Sequence, residues 1–248
     1  KEAVAMRATN AGPATILDAD TGEVLAMVSQ PSYNPNNLSS LDDGELPNRA
    51  MVHRLEPGST VKAFTMTAAL ESGLFDTSTI IQTSPGYVMV DGRTIKDPVD
   101  YGASNLARII AKSSQVGTSK VGLTMGETPM LSVLARAGFG QSLGTGFPGE
   151  ETGALPNFTR WSKADVASLA YGYGFQVTPL QLAQAYAIFA NRGIRKPVSL
   201  IKLDAPVDGE RVIAANLAET IVGMLKGVVS EDMGGTGVLA NIPLYEVG

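Results

Sequence analysis

The sequence predicts an α+β domain, and two observations support that prediction. Strand-like apolar runs occur toward both ends of the chain, and helical patterns fill the region between them. Apolar residues make up 44% of the 248 residues and charged residues 17%, so the chain can bury a sizeable core. We therefore expect a sheet-containing core with a helical insert.

The composition excludes several classes of protein. The net charge is −5 and no stretch is rich in lysine or arginine, which argues against nucleic-acid binding. The absence of cysteine rules out a disulfide framework, a thiolate nucleophile and a cysteine-bound metal. No stretch reaches the ~18 apolar residues of a membrane span, so we expect this domain itself to make no membrane contact.

The first part of the chain predicts a hairpin and then a helix. The apolar runs 14–17 and 24–28 flank a segment of turn-forming residues, which is typical of a β-hairpin. Residues 32–37 interrupt regular structure because they combine proline with asparagine. A helix is expected over residues 60–71, and Gly73 ends it.

The rest of the chain alternates short strands, helices and loops. Residues 76–102 predict short strands with a turn at Asp91 and Gly92. Thr178 and Pro179 form a helix cap and first-turn pair. The other expected elements are helices within 104–139, a glycine- and proline-rich loop over 138–156, a helix over 162–170, a break at 171–174, and helices to about 190 and over 215–229.

Ser59 and Lys62 form the strongest local signal for chemistry. Positions i and i+3 share one face of a helix, so the lysine amine can reach the serine hydroxyl. A hydroxyl is a weak nucleophile that needs an adjacent base. Free N–H groups at a helix N-terminus also favour a developing oxyanion. A bare Ser-x-x-Lys is far more often a helix cap followed by a surface lysine, so the surrounding residues must decide.

Other polar residues give weaker signals. Residues 113–115, Ser-Ser-Gln, follow a helical run, and could relay a proton and hold an amide, or could be a polar helix junction. His53, the only histidine, is expected to be structural or exposed, because no nucleophile elbow supports a Ser-His-Asp triad. A zinc site is not expected with one histidine. Glu150 and Glu151 are expected to be solvated.

Longer stretches resemble class B penicillin-binding proteins. Residues 56–62, Glu-Pro-Gly-Ser-Thr-Val-Lys, are similar to the active-site signature of that family. Ser-x-x-Lys with a later Ser-x-Asn and Lys-Thr-Gly marks penicillin-binding proteins and related β-lactamases. The Ser-Ser-x-Val-Gly form of residues 113–117 resembles the division-specific branch, penicillin-binding protein 3. Further similar stretches follow in order at residues 17–27, 31–36, 48–50, 146–150 and 171–182.

The resemblance implies a fold, a domain and a location. The fold is the penicillin-binding, serine β-lactamase-like transpeptidase fold, an antiparallel sheet flanked by helices with an all-helical subdomain. We expect residues 1–248 to be a single transpeptidase domain that is incomplete, because the Lys-Thr-Gly part is missing. The implied location is the periplasmic face of the bacterial inner membrane, with an N-terminal transmembrane anchor outside this chain. Membrane proteins of the divisome are the implied protein partners.

The resemblance also implies an activity and a site. The activity is a D,D-transpeptidase that cross-links peptidoglycan stem peptides through an acyl-serine intermediate in septal wall synthesis. β-Lactams imitate the substrate and trap the serine, and no metal or organic cofactor is needed. The implied site residues are the nucleophile Ser59, the base Lys62, the proton relay Ser113 and the substrate contacts Gln115, Tyr171 and Tyr173. Core packing is an equal alternative for the two tyrosines.

Two departures from the family pattern leave alternatives open. Gln115 stands where the family has asparagine, which places the amide one methylene further out. The Lys-Thr-Gly element, which normally supplies a carboxylate anchor, is not in the chain. A D,D-carboxypeptidase or a serine β-lactamase would share the first two motifs and use water as the acceptor. A non-catalytic penicillin-binding sensor or scaffold is the alternative outside enzymes.

Overall fold

The computed structural model describes residues 11–37, 39 and 46–248. The first ten residues of the predicted domain lie outside this part of the chain. The N-terminal hairpin is confirmed: β1 (Gly12–Leu17) pairs antiparallel with β2 (Val24–Gln30). Asp18 closes its turn, because one carboxylate oxygen accepts hydrogen bonds from two backbone N–H groups at 2.9 and 3.0 Å.

The described residues combine helices with two-stranded antiparallel sheets. The helices are α1 (Arg49–Val52), α2 (Lys62–Glu71), α3 (Leu106–Ala111), α4 (Gln115–Met125), α5 (Glu127–Arg136), α6 (Lys163–Ala170), α7 (Pro179–Ala190) and α8 (Ala215–Lys226). The other strands are β3 (Ile80–Gln82), β4 (Tyr87–Val90), β5 (Arg93–Lys96), β6 (Ala103–Asn105), β7 (Ile194–Arg195) and β8 (Glu210–Arg211). The pairs are β3 with β6, β4 with β5, and β7 with β8. This mixture confirms the α+β class.

The structure corrects two details of the predicted elements. The helix expected over residues 60–71 starts as a 3-10 turn, Gly58–Val61, and becomes α-helical only at Lys62. No strand follows Arg211 in the described part of the chain, although strand patterns were expected toward that end. A strand needs a neighbour for its ladder of hydrogen bonds, and residues 242–248 pair with no strand.

Helix α2 lies at the centre of the core. Every residue from 61 to 69 is buried, so α2 is covered on all sides rather than on one face. The Phe64 ring contacts the rings of Phe139, Tyr186 and Phe189 at centroid distances of 5.3, 5.6 and 5.0 Å. Because α2 is enclosed in this way, its first residue, Lys62, is enclosed as well.

The ends of α7 and α6 are set by their sequences. The predicted cap at Thr178 is confirmed, since its hydroxyl accepts from the Gln181 N–H and the Gln181 amide accepts from the Thr178 N–H. Ser162 and Asp165 form the same capping box on α6. The cap at Thr178 fixes where α7 begins, and therefore where the loop of residues 171–177 ends. Within the described residues, no helix has the length and apolar character to cross a membrane.

Candidate active site

Ser59 lies on a tight turn at the entrance to α2. Gly58 before it has a φ of +57°, and the Thr60 hydroxyl donates to the Pro57 carbonyl at 2.8 Å. The Ser59 side chain is exposed and makes no hydrogen bond to a described residue. The turn therefore presents this hydroxyl to solvent at the N-terminal end of a buried helix.

Lys62 lies one turn further on, and its environment differs sharply from that of Ser59. Only 2% of its surface is exposed. Its Nζ donates to the Ser113 carbonyl at 2.5 Å and to the Ser113 hydroxyl at 2.9 Å. Burial lowers the pKa of Lys62 to about 8, against the opposing effect of the Asp97 charge, which raises it. A neutral amine that uses two N–H groups in this way keeps one lone pair to accept a proton.

Ser113 occupies the junction between α3 and α4 in an unusual backbone conformation. Its φ is +52°, a left-handed value that is uncommon outside glycine. This conformation turns both the carbonyl and the hydroxyl of Ser113 toward Lys62. The two residues are 51 positions apart, so the structure brings together two of the predicted site residues that sequence spacing alone could not join.

Asp97 holds the start of α4, although no sequence pattern singled it out. Its carboxylate accepts from the Ser114 hydroxyl at 2.5 Å and from the N–H groups of Gln115 and Val116 at 2.6 and 3.2 Å. It is 7% exposed and is the only buried carboxylate among the described residues. No local pattern around Asp97 differs from that of an ordinary polar loop, so only the three-dimensional contacts reveal it.

The turn that carries Ser59 is held against the loop of residues 171–177. The Gly58 N–H donates to the Gly172 carbonyl at 2.9 Å, and the Gly174 N–H donates to a Glu56 carboxylate oxygen at 2.9 Å. Leu55 and Val177 exchange two backbone hydrogen bonds of 2.9 Å each. We call this pair of segments, 55–58 and 172–177, the clamp. It ties the turn that carries Ser59 to a segment more than a hundred residues away.

Gly172 is required at the centre of the clamp. Its φ is +93°, and a Cβ placed on it would lie 1.9 Å from the Gly58 carbonyl oxygen. No side chain fits in that space. The sequence predicted a break between helices at residues 171–174, but it did not indicate that this segment packs against the turn that carries Ser59.

A cleft of about 490 Å³ is lined by Gln115 and by both predicted tyrosines. The rings of Tyr171 and Tyr173 lie 5.5 Å apart. Tyr173 is exposed, whereas Tyr171 is half-buried and also packs on the small apolar cluster beneath β4 and β5. Tyr171 therefore combines the two alternatives considered for it, because it packs in the core and also lines the cleft. Trp161, which carried no functional signal in the sequence, lines the same cleft.

The remaining candidates lie outside this arrangement. His53 is exposed at the end of α1, as expected. Glu150 is not simply solvated, because it accepts hydrogen bonds from the Ser142 hydroxyl and from backbone N–H groups of residues 143–145. Its role is to hold its own loop. The described residues contain no cluster of three or more side chains suited to holding a metal ion.

Comparison with known proteins identifies the family. Residues 12–248 match the penicillin-binding protein transpeptidase domain. The chain belongs to this family. It is 40% identical over 245 residues to the peptidoglycan D,D-transpeptidase FtsI of Escherichia coli K12, covering 99% of the chain and 41% of that protein. It is 38% identical over 247 residues to the probable peptidoglycan D,D-transpeptidase PbpC of Pseudomonas aeruginosa, covering 100% and 43%.

Solved structures agree with this family assignment. The transpeptidase domain of Burkholderia pseudomallei penicillin-binding protein 3 superposes with a TM-score of 0.88 at 34% identity, covering 100% of this chain and 70% of that one. The transpeptidase fold and the likeness to the penicillin-binding protein 3 branch are therefore confirmed. The chain spans about two fifths of the length of the curated relatives it matches.

Proposed function

We propose that the protein is a peptidoglycan D,D-transpeptidase of septal wall synthesis, with Ser59, Lys62 and Ser113 as its catalytic residues. The observation that carries the proposal is the buried Lys62 amine. Its pKa is lowered to about 8, both of its recorded hydrogen bonds go to Ser113, and it follows the exposed Ser59 by one helical turn. An amine in that state is suited to take a proton from a hydroxyl near neutral pH.

The first half-reaction forms the acyl-enzyme. Ser59 Oγ attacks the carbonyl carbon between the two terminal D-alanines of a stem peptide, and the hydroxyl proton passes to Lys62 Nζ. The backbone N–H of Ser59 donates to the developing oxyanion. The C–N bond then breaks, and the proton returns through Ser113 Oγ to the nitrogen of the departing D-alanine. Ser113 suits this relay because its hydroxyl already contacts Lys62 at 2.9 Å.

The second half-reaction transfers the acyl group. An amine of a neighbouring stem peptide attacks the ester carbonyl, the C–O bond to Ser59 breaks, and an amide bond forms. The proton lost by the amine returns to the Ser59 oxygen by way of Lys62. The Gln115 amide and the Tyr171 and Tyr173 rings line the adjoining cleft, and we propose that they hold the peptide there.

Covalent labelling tests the nucleophile. The intact protein is expected to be labelled by a fluorescent penicillin, because β-lactams imitate the D-Ala-D-Ala end and acylate the same oxygen. Ser59→Ala is expected to abolish the label, while Ser132→Ala, a change to an exposed serine on α5, is expected to leave it unchanged. Labelling of the Ser59→Ala protein at the normal rate would refute this assignment.

The acceptor is tested by turnover of a chromogenic cephalosporin. Three carboxylates lie at the site or its cleft, Glu56, Asp97 and Asp165, and each already accepts a hydrogen bond from a backbone N–H group. We therefore propose that none of them activates a water and that the acyl-enzyme waits for an amine. Slow turnover after one equivalent is expected. Rapid multiple turnover would favour a β-lactamase, and absence of any labelling of the intact protein would favour a sensor or scaffold.

We also propose a place of action. Similarity to FtsI favours a role in division at the periplasmic face of the inner membrane, together with other membrane proteins of the division machinery. A fluorescent fusion of the intact protein is expected to concentrate at the septum and to depend on those partners for its position. Uniform distribution around the cell would contradict this part of the proposal.

A further inference from the structure

Asp97 is a buried charge for which the proposed chemistry has no role. It is 7% exposed and directly follows β5. Carboxylates are almost never buried unless their oxygens are paired. All of the recorded partners of the Asp97 side chain lie in one place, at the first residues of α4.

The partners of Asp97 are the residues that shape the second motif. Its Oδ2 accepts from the Ser114 hydroxyl at 2.5 Å, and its Oδ1 accepts from the Gln115 N–H at 2.6 Å. Ser114 in turn accepts from the Gly117 N–H at 2.8 Å, as the N-cap of α4. The carboxylate thus holds the two residues that follow Ser113. The left-handed backbone of Ser113 depends in turn on where α4 begins.

Lys62 donates to Ser113, and Asp97 accepts from the two residues that follow Ser113. The charge of Asp97 raises the pKa of Lys62 against the effect of burial, and burial together with the same charge raises the pKa of Tyr101 against the opposing effect of Arg108. Lys112, the neighbour of Ser113, donates instead to the Gly234 carbonyl at 2.8 Å. Lys96, the neighbour of Asp97, is exposed.

We propose that Asp97 is a positioning residue for acyl transfer: its carboxylate holds Ser113 against the Lys62 amine and balances the charge of that amine. This inference rests on the proposed function, since it takes Lys62 as the base and Ser113 as the relay. It adds a third segment, the β4–β5 hairpin, to the two that carry the site. The hairpin thereby controls the geometry of a reaction that it does not touch.

The test is the pH profile of penicillin acylation in the intact Asp97→Asn protein. Asparagine keeps the size and one carbonyl oxygen but removes the charge. Because that charge raises the pKa of Lys62, its loss is expected to move the rise in acylation rate to lower pH. The plateau rate is expected to fall by roughly tenfold or more, because small displacements of reacting groups are costly.

Asp100→Asn is the matched control. Asp100 lies in the same loop, is exposed, and accepts from the Ser84 hydroxyl and the Gly102 N–H at 3.0 and 2.8 Å. Its profile and plateau are expected to match the parent protein. Ser114→Ala keeps the Asp97 charge and removes one of its bonds, so its plateau is expected to fall without an acid shift.

Two results would overturn the proposal. An Asp97→Asn protein with the parent rate and profile would show that Asp97 has no part in the reaction. A lower plateau with an unmoved profile and a lower melting temperature would show that Asp97 only supports the fold. Should Asp97→Asn fail to fold, the Asp97→Glu protein provides the test. If its pH profile matches that of the parent protein but its plateau rate is lower, positioning is supported; if its plateau rate equals that of the parent protein, positioning is refuted. Labelling of the Ser59→Ala protein at the parent rate would refute the proposed function separately.

Discussion

At the scale of single residues, the proposed site depends on one lysine in an environment that disfavours its charge. Lys62 is enclosed by the same packing that covers α2, and this enclosure lowers the pKa of its amine to about 8. A surface lysine at an ordinary pKa of 10.5 would be protonated at neutral pH and unable to act as a base. In the proposed mechanism, the reactivity of Lys62 is therefore a consequence of its burial.

The acylation rate is expected to rise with pH and to reach half its maximum near pH 8. Lys62 must be neutral to accept the Ser59 proton, so the rate follows the deprotonated fraction of an amine whose pKa is about 8. Stopped-flow or quenched labelling with a fluorescent penicillin measures this profile. A half-maximum near the ordinary lysine value would contradict the role of burial.

Lys62→Met is expected to abolish labelling and yet to stabilise the fold at neutral pH by about 1–3 kcal/mol. The folded-state pKa lies below the unfolded value, so the unfolded chain binds more protons between about pH 8 and 10.5. Parent stability therefore rises with pH over that window, and the advantage of methionine shrinks. Urea unfolding at several pH values measures the difference, with Lys163→Met, on the exposed start of α6, as control.

Gln115→Ala is expected to slow acylation by about tenfold while leaving the fold intact, because the side chain lines the cleft without a recorded bond to a described residue. Gln115→Asn is expected to retain most of the acylation rate, because it keeps the amide group. The retention is not complete, because the asparagine side chain is one methylene shorter. Second-order rate constants for penicillin labelling separate the two. Equal rates for the alanine variant and the parent protein would remove Gln115 from the site.

At the scale of elements, the clamp and the loop of residues 142–150 hold in place segments that lie outside the helices. The clamp joins the nucleophile turn to the loop between α6 and α7, each of which begins at a capping box. The 142–150 loop is held by Glu150. Partial burial alone would raise the pKa of Glu150, but hydrogen bonds from Ser142 and Thr145 outweigh it and lower the pKa to about 2.

Gly172→Ala is expected to destabilise the fold by more than about 2 kcal/mol and to reduce labelling strongly. The new methyl group would meet the Gly58 carbonyl at 1.9 Å in addition to the strain of a positive φ. Gly174→Ala is the matched control, because Gly174 has a φ of +83° but open space around it. It is expected to cost about 1 kcal/mol. Urea unfolding of both variants makes the comparison, and equal costs would contradict the packing argument.

Glu150→Gln is expected to destabilise the protein by about 1 kcal/mol at neutral pH, a value reduced by the exposure of this loop. The folded pKa of Glu150 is depressed, so its contribution is present above the unfolded value of 4.5 and is lost as pH falls toward 2. The difference between variant and parent is therefore expected to vanish in acid. Glu151→Gln, at an exposed glutamate 3.7 Å from Arg54, is expected to change little.

At the scale of the whole molecule, sequence reasoning found the elements and the family but not the contacts between distant segments. The hairpin, the helix caps and the nucleophile helix follow from local patterns, because turn residues and apolar periodicity act over a few positions. Asp97 was missed altogether, because it acts on a partner far along the chain and its neighbours resemble an ordinary loop. Glu56 and Gly172 lie in stretches that resemble the family, but their contacts with each other's segment were missed for the same reason.

Because the site joins segments from four parts of the chain, acylation competence and overall structure are expected to be lost together. Urea titrations followed by penicillin labelling and by far-ultraviolet circular dichroism should have the same midpoint. A midpoint for labelling well below the one for circular dichroism would show that the clamp opens before the core unfolds.

Under the proposed function, the contact between Gly172 and Gly58 also limits how the protein can evolve resistance to an inhibitor that acylates Ser59. A side chain at Gly172 would displace the turn that carries Ser59, so it would remove the proposed reaction together with the target of the inhibitor. Trp161 lines a part of the cleft wall to which the proposed reaction assigns no role. Under the proposed function, selection by a β-lactam is therefore directed to that part of the wall, and an inhibitor that draws its affinity from the contact at Gly172 would leave the cell few viable replacements.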